Sequence, residues 1–198
     1  MKEFSRIIVL SVIILLTGCA GKPDRHFSIE MLKEYDGYVM MKTMYTMDDM
    51  CNGVGNGKFP RERYIAFGRT CYFNTKFPLP DTLKLYYLPW LSKEQMEKQG
   101  LDYPSRSSVY PHEVDVEGVI NVMKKREELL DAVPASQWKV ITLKTKSLMK
   151  KYENSMPEGK GFRVNGIDTF YLITILPDGS YKLEDAISWQ TPITNQWN

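Results

Sequence analysis

From Ile7 to Leu16 the chain is apolar except at Ser11. A helix that crosses a bilayer needs roughly 20 apolar residues, so this run is too short to stay in a membrane as a span. With Lys2 and Arg6 ahead of it, the run has the proportions of a secretory signal. No second hydrophobic stretch approaches membrane-spanning length. The part of the chain beyond the signal is therefore expected to fold in water, after export.

The run ends in Leu16-Thr17-Gly18-Cys19, which resembles the lipobox of bacterial lipoproteins. Small residues at Thr17 and Gly18 let a peptidase approach the backbone closely, and Cys19 offers the thiol that takes a diacylglyceryl group. Several acyl chains, palmitate among them, anchor stably where one binds only marginally. Ala20 stands where a retained inner-membrane lipoprotein usually carries Asp, so this resemblance implies the periplasmic face of the outer membrane. The expected division is a signal peptide over 1–18, a lipidated tether over 19–26 and one globular periplasmic domain over 27–198.

Of the 26 basic and 24 acidic side chains, Lys2, Arg6 and Glu3 leave with the signal, so the mature net charge is about +1. Nucleic-acid binding calls for a basic face and a high pI, and this balance argues against it. Cys51 and Cys71 remain after Cys19. In an oxidising compartment such a pair is expected to form a disulfide. No CxxC spacing suggests redox work.

The hydrophobic pattern predicts an α+β fold, a mainly antiparallel sheet of about six strands with one long amphipathic helix. Phe27 to Tyr35 reads as a short helix or lead-in, and Gly37 to Thr46 as a strand. Arg63 to Phe67, Thr70 to Asn74 and Thr82 to Leu88 read as further strands. Ser92 is a natural N-cap for a short helix that stops near Gly100. Glu113 to Val133 carries Val116, Val119, Ile120, Met123, Leu130 and Val133 on one helical stripe. Trp138 to Thr145 alternates like a strand, and a polar helix comes next, near Ser147 to Asn154. Asp168 to Leu176 and Tyr181 to Ser188 flank Pro177-Asp178-Gly179-Ser180, a strong hairpin signal.

Chemistry is sparse. The two histidines are His26, in the expected tether, and His112, at a helix start beside Glu113 and Asp115. Neither sits at zinc-ligand spacing, and no HExxH or GxSxG motif occurs. Acids at a helix start complement its dipole without any catalytic role. Gly53-Val54-Gly55-Asn56-Gly57-Lys58 lacks the spacing and the hydroxyl of a phosphate-binding loop. Met41, Met44, Met47 and Met50 recur every third residue, and soft thioethers select Cu(I). Strand-favouring Thr43, Tyr45 and Thr46 would put Met41 and Met44 on opposite faces, which favours core filling. No enzyme, no cofactor and no bound metal are expected.

What remains is recognition. Turn-rich loops at 48–60 and 101–112 offer Asn52, Asn56, Lys58, Tyr103, Arg106 and Tyr110 as candidate partner contacts, with Arg61 just after the first loop and Trp90 between the two. The lipobox, Pro78-Leu79-Pro80-Asp81-Thr82-Leu83, Trp90-Leu91-Ser92-Lys93-Glu94 and Ile175-Leu176-Pro177-Asp178-Gly179 together resemble small uncharacterised lipoproteins of Gram-negative bacteria. Some of these are immunity proteins against type VI secretion effectors such as phospholipases. The likeness covers about half of the mature chain and rests on turns and strands. It implies a periplasmic inhibitor that blocks a toxin without catalysis of its own, and it carries over no functional residue. An envelope assembly or structural lipoprotein, a copper-binding protein and a carboxylate-only hydrolase are the alternatives.

Overall fold

The computed structural model describes residues 23–42, 63–68, 70–73, 78–102, 115–159 and 166–190. Its strands are β1 (Arg25–Lys33), β2 (Val39–Lys42), β3 (Tyr64–Ala66), β4 (Thr70–Tyr72), β5 (Leu83–Pro89), β6 (Lys139–Leu143), β7 (Ile167–Ile175) and β8 (Tyr181–Trp189). Its helices are α1 (Lys93–Lys98), α2 (Val116–Asp131) and α3 (Thr145–Lys151), with a 3-10 turn at Ala135–Gln137. The mixed α and β content matches expectation. The single sheet of about six strands does not, because eight strands form two four-stranded sheets. The first has the order β4-β1-β7-β8 and the second β3-β2-β5-β6.

The expected lead-in at Phe27 to Tyr35 is instead part of a strand. It begins at Arg25, so Arg25 and His26, assigned above to the tether, belong to β1. Non-local pairing decides this. β1 is hydrogen-bonded on both edges, antiparallel to β4 and parallel to β7 from Arg25↔Ile167 to Lys33↔Ile175. The other described strand pairs are antiparallel.

Alternation along the strands builds the layers. Phe27, Ile29 and Met31 of β1 and Tyr171, Ile173 and Ile175 of β7 face Val39 and Met41 of β2. Leu83, Leu85 and Tyr87 of β5 and Ile141 and Leu143 of β6 close the same core, with Leu148 from α3. The opposite face of the second sheet carries Met40 and Leu88, and there Leu130 of α2 and Trp138 complete a second cluster. The order of layers is therefore first sheet, second sheet, α2.

Local signals place the ends. Ser92 and Gln95 form a reciprocal capping box at α1, with Oγ accepting at 3.2 Å and Oε1 accepting at 2.8 Å. Asp115 caps α2 by accepting from the Gly118 N–H at 2.8 Å. Between β7 and β8, Gly179 adopts φ +74°, a left-handed conformation that an L side chain strains. Asp178 supports the turn by accepting from the Ser180 N–H at 2.8 Å. Among the described residues, no helix is long and apolar enough to cross a membrane.

Candidate interaction face

Among the described residues, the outer face of the second sheet is only partly roofed. One cross-strand row reads Tyr64, Lys42, Tyr86 and Val140, and the next holds Ala66, Met40 and Leu88. Leu130 and Val133 pack over the second row with Tyr38, Trp90 and Trp138. The first row lies at the margin of that roof, where Val140 is 41% exposed.

A polar cluster ties α2 to this margin. The Arg63 guanidinium donates to Asp131 at 2.7 and 3.2 Å and to Glu127 at 3.2 Å, while its backbone N–H reaches Glu127 at 3.0 Å. The Tyr64 hydroxyl donates to the same Asp131 at 2.6 Å. That bond, and then those from Arg63, hold the Asp131 carboxyl below the usual carboxylate range. Partial burial and then the bond to Asp131 push the Tyr64 phenol up to about 12. Tyr64 stacks on Trp138 with centroids 5.5 Å apart and planes 22° apart. The Lys42 ammonium sits 4.3 Å from the Trp138 ring centroid, a cation–π distance.

Deeper under α2, Arg126 is buried on the stripe of Met123 and Leu130. Its Nε donates to the Leu101 carbonyl at 2.6 Å, and the guanidinium lies 5.9 Å from the Tyr38 ring. The apolar stripe read from the sequence missed this residue. Its spacing, three after Met123 and four before Leu130, is the signal that places it.

Among the expected contact residues, Trp90 lies in this layer. It is half-buried, its N–H donates to the Tyr38 carbonyl at 2.7 Å, and its carbonyl accepts from the Tyr35 hydroxyl at 3.1 Å. Asn52, Asn56, Lys58, Arg61, Tyr103, Arg106 and Tyr110 lie outside the described residues, as do Cys19, Cys51, His112, Met44, Met47 and Met50. The anchors of both contact loops are described. Lys42 of β2 and Arg63, in the cluster above, flank the first. Asp102, beside Arg126, and Asp115, the cap of α2, flank the second. Met41 is buried between the sheets, on the strand face opposite Met40 and Lys42. Cys71 is buried in β4 and disulfide-bonded.

A second polar group lies on the outer face of the first sheet. His26 stands opposite Asp168 in the β1–β7 ladder, and the Ser28 hydroxyl donates to Asp168 Oδ2 at 2.6 Å. Asp168 is 7% exposed, and its Oδ1 is buried without a hydrogen-bond partner. Loss of water raises its pKa, against the lowering effect of Ser28 and His26. Burial, and then the nearby Asp168 charge, raise Glu30 as well. The sequence reading found none of this, because Ser28 and Asp168 are 140 positions apart. An open cleft of about 510 Å³ lies between Tyr152–Glu158 and Ile187–Trp189.

The described residues contain no group of three or more His, Cys, Asp or Glu side chains able to hold a metal ion. The chain matches no protein-family model, no curated protein and no solved structure.

Proposed function

We propose that this chain is a lipoprotein held through Cys19 at the periplasmic face of the outer membrane, and that it is an immunity-type protein. It binds a secreted antibacterial effector, blocks it and does no chemistry of its own. The observation that best supports this reading is the aromatic and cationic margin of the second sheet: Tyr64 stacked on Trp138 under Lys42, beside Arg63. Aromatic residues and arginine dominate the energetics of protein–protein contacts. Lys42 and Arg63 of this margin flank in sequence the 43–62 segment, which contains Asn52, Asn56, Lys58 and Arg61. In this reading α2 is the long amphipathic helix whose buried stripe fixes the layer, and Cys71 is joined to Cys51.

The test is affinity purification of the full chain in detergent from its own host, followed by mass spectrometry. The expected result is one stoichiometric secreted toxin. Its recovery should fall at least about tenfold with Lys42→Glu, the size of effect expected at a hot spot, and stay unchanged with Leu32→Ala on the other sheet. Recovery of envelope machinery, or of nothing, would withdraw the inhibitory role.

A further inference from the structure

Among the described residues β8 is an edge strand, and its two halves are treated differently. From Asp185 onward it is half-buried, alongside the Ser155–Glu158 segment that lines the cleft. Tyr181, Lys182, Leu183 and Glu184 are exposed, including two large apolar side chains at 40% and 36%. Long apolar edges invite pairing with another strand unless something blunts them.

The ladder fixes which backbone groups are on offer. The Leu176 N–H donates to the Ser180 carbonyl, and the Gln190 N–H donates to the Gly166 carbonyl. Because bonded and non-bonded positions alternate in an antiparallel pair, Lys182 and Glu184 turn their backbone groups toward β7. Tyr181, Leu183 and Asp185 turn theirs away from the sheet. The Tyr152 hydroxyl reaching the Asp185 carbonyl from outside agrees with this.

We infer that the Tyr181–Asp185 edge pairs antiparallel with the same edge of a second copy of this chain, centred on Leu183. Lys182 and Glu184 are ion-paired within their own strand at 3.0 Å, and this register extends that pairing across the two-fold axis. It sets Leu183 against Leu183 of the second copy, and Lys182 against its Glu184 on both sides of the axis. Tyr181 falls opposite Asp185, so the two Asp185 carboxylates never face each other. Asp185 is engaged by Lys151 and Tyr152 through its carboxylate, and pairing requires the Tyr152 hydroxyl to give up only its longer bond, 3.3 Å, to the Asp185 carbonyl. A register centred on Asp185 would oppose those two like charges and leave Lys182 facing Ser188. The product is a continuous eight-stranded sheet, β4-β1-β7-β8 followed by its symmetry copy, with the isologous interface of a two-fold dimer. This inference is independent of the effector-binding face, which lies on the other sheet.

The test uses the full chain in detergent with cysteine introduced by Leu183→Cys. Opposed residues in a hydrogen-bonded antiparallel pair have Cα atoms about 5.5 Å apart, within disulfide range. Mild oxidation should give a reductant-sensitive dimer that is absent from the parent chain. It should also be absent from Leu32→Cys, a collision control 54% exposed on another strand. Charge reversal supplies a readout that needs no new cysteine. Lys182→Glu or Glu184→Lys should each raise the dimer dissociation constant at least about tenfold, since both symmetric pairs become repulsive. The double exchange should restore it. A monomer mass by light scattering at every concentration, cross-linking no greater than that of Leu32→Cys, or indifference to the reversals would each overturn the inference.

Discussion

Two aspartates on opposite sides of the molecule show what decides whether a carboxyl keeps its proton. Asp131, the last residue of α2, is open to solvent yet receives bonds from Arg63 and Tyr64, and its pKa is lowered. Asp168, on the first sheet, is sealed from water with Ser28 as its side-chain donor, and its pKa is raised. One ends a helix and the other lies in a strand, but that does not set the sign of the shift. What does is whether partners replace the water that folding removes. The two therefore act on stability with opposite sign. Asp131 contributes stability above the ordinary aspartate pKa, and this is lost as pH falls through its lowered value. Asp168 binds its proton more tightly folded than unfolded. It subtracts stability as pH rises from the ordinary value through its raised one, and the penalty is complete above that.

The contrast can be broken in graded steps. Leu130→Ala should act most strongly, because Leu130 is the buried residue that pins α2 to Met40, Leu88 and Trp138. A loss of about 2–5 kcal/mol is expected in denaturant unfolding. As the roof loosens, the Tyr64 phenol should fall from about 12 toward its usual 10 in an ultraviolet titration. An unchanged phenol would mean that the sheet alone sets it.

Ser28→Ala comes next. It strips the last side-chain partner from buried Asp168 and should remove about 1–3 kcal/mol at neutral pH. Its distinguishing mark is direction: the loss should shrink as acid protonates Asp168. A deficit that stays constant with pH would assign Ser28 a packing role only.

Asp131→Asn should do least. The Arg63 pair is solvent-exposed, and exposed pairs contribute little to stability. Melting should therefore be unchanged. Tyr64 should drop only part of the way, since burial contributes more to its shift than the bond to Asp131 does. A return to the ordinary tyrosine value would reverse that order.

Local chemistry was legible in the sequence where it acts over a few residues. The Ser92 cap, the Asp178-Gly179 turn and the flanking β7 and β8 obey rules of short range. β1 was not legible, although Phe27, Ile29 and Met31 alternate with Ser28 and Glu30 as a strand requires. Glu30, Met31, Leu32 and Lys33 are all good helix formers, and the strand partner that overrides them begins at Ile167. The same distance hid both polar clusters: Arg63 meets Asp131 across 68 positions, and Ser28 meets Asp168 across 140. Of the face beneath α2, the sequence singles out only Trp90. Tyr64, Lys42 and Trp138 gain their relation from strand pairing, which residue spacing does not reveal.

The parallel seam between β1 and β7 also constrains the order in which the chain can mature. A ribosome releases β1 long before β7. Until the chain beyond Ile167 emerges, one whole edge of β1 has no ladder to join. One layer of the main core, with Phe27, Ile29 and Met31 on one strand and Tyr171, Ile173 and Ile175 on the other, closes only after β7 has emerged. Long-range pairing of this kind folds slowly. Delay is an advantage for any chain that must be threaded unfolded through a channel, because this core cannot lock before β7 arrives.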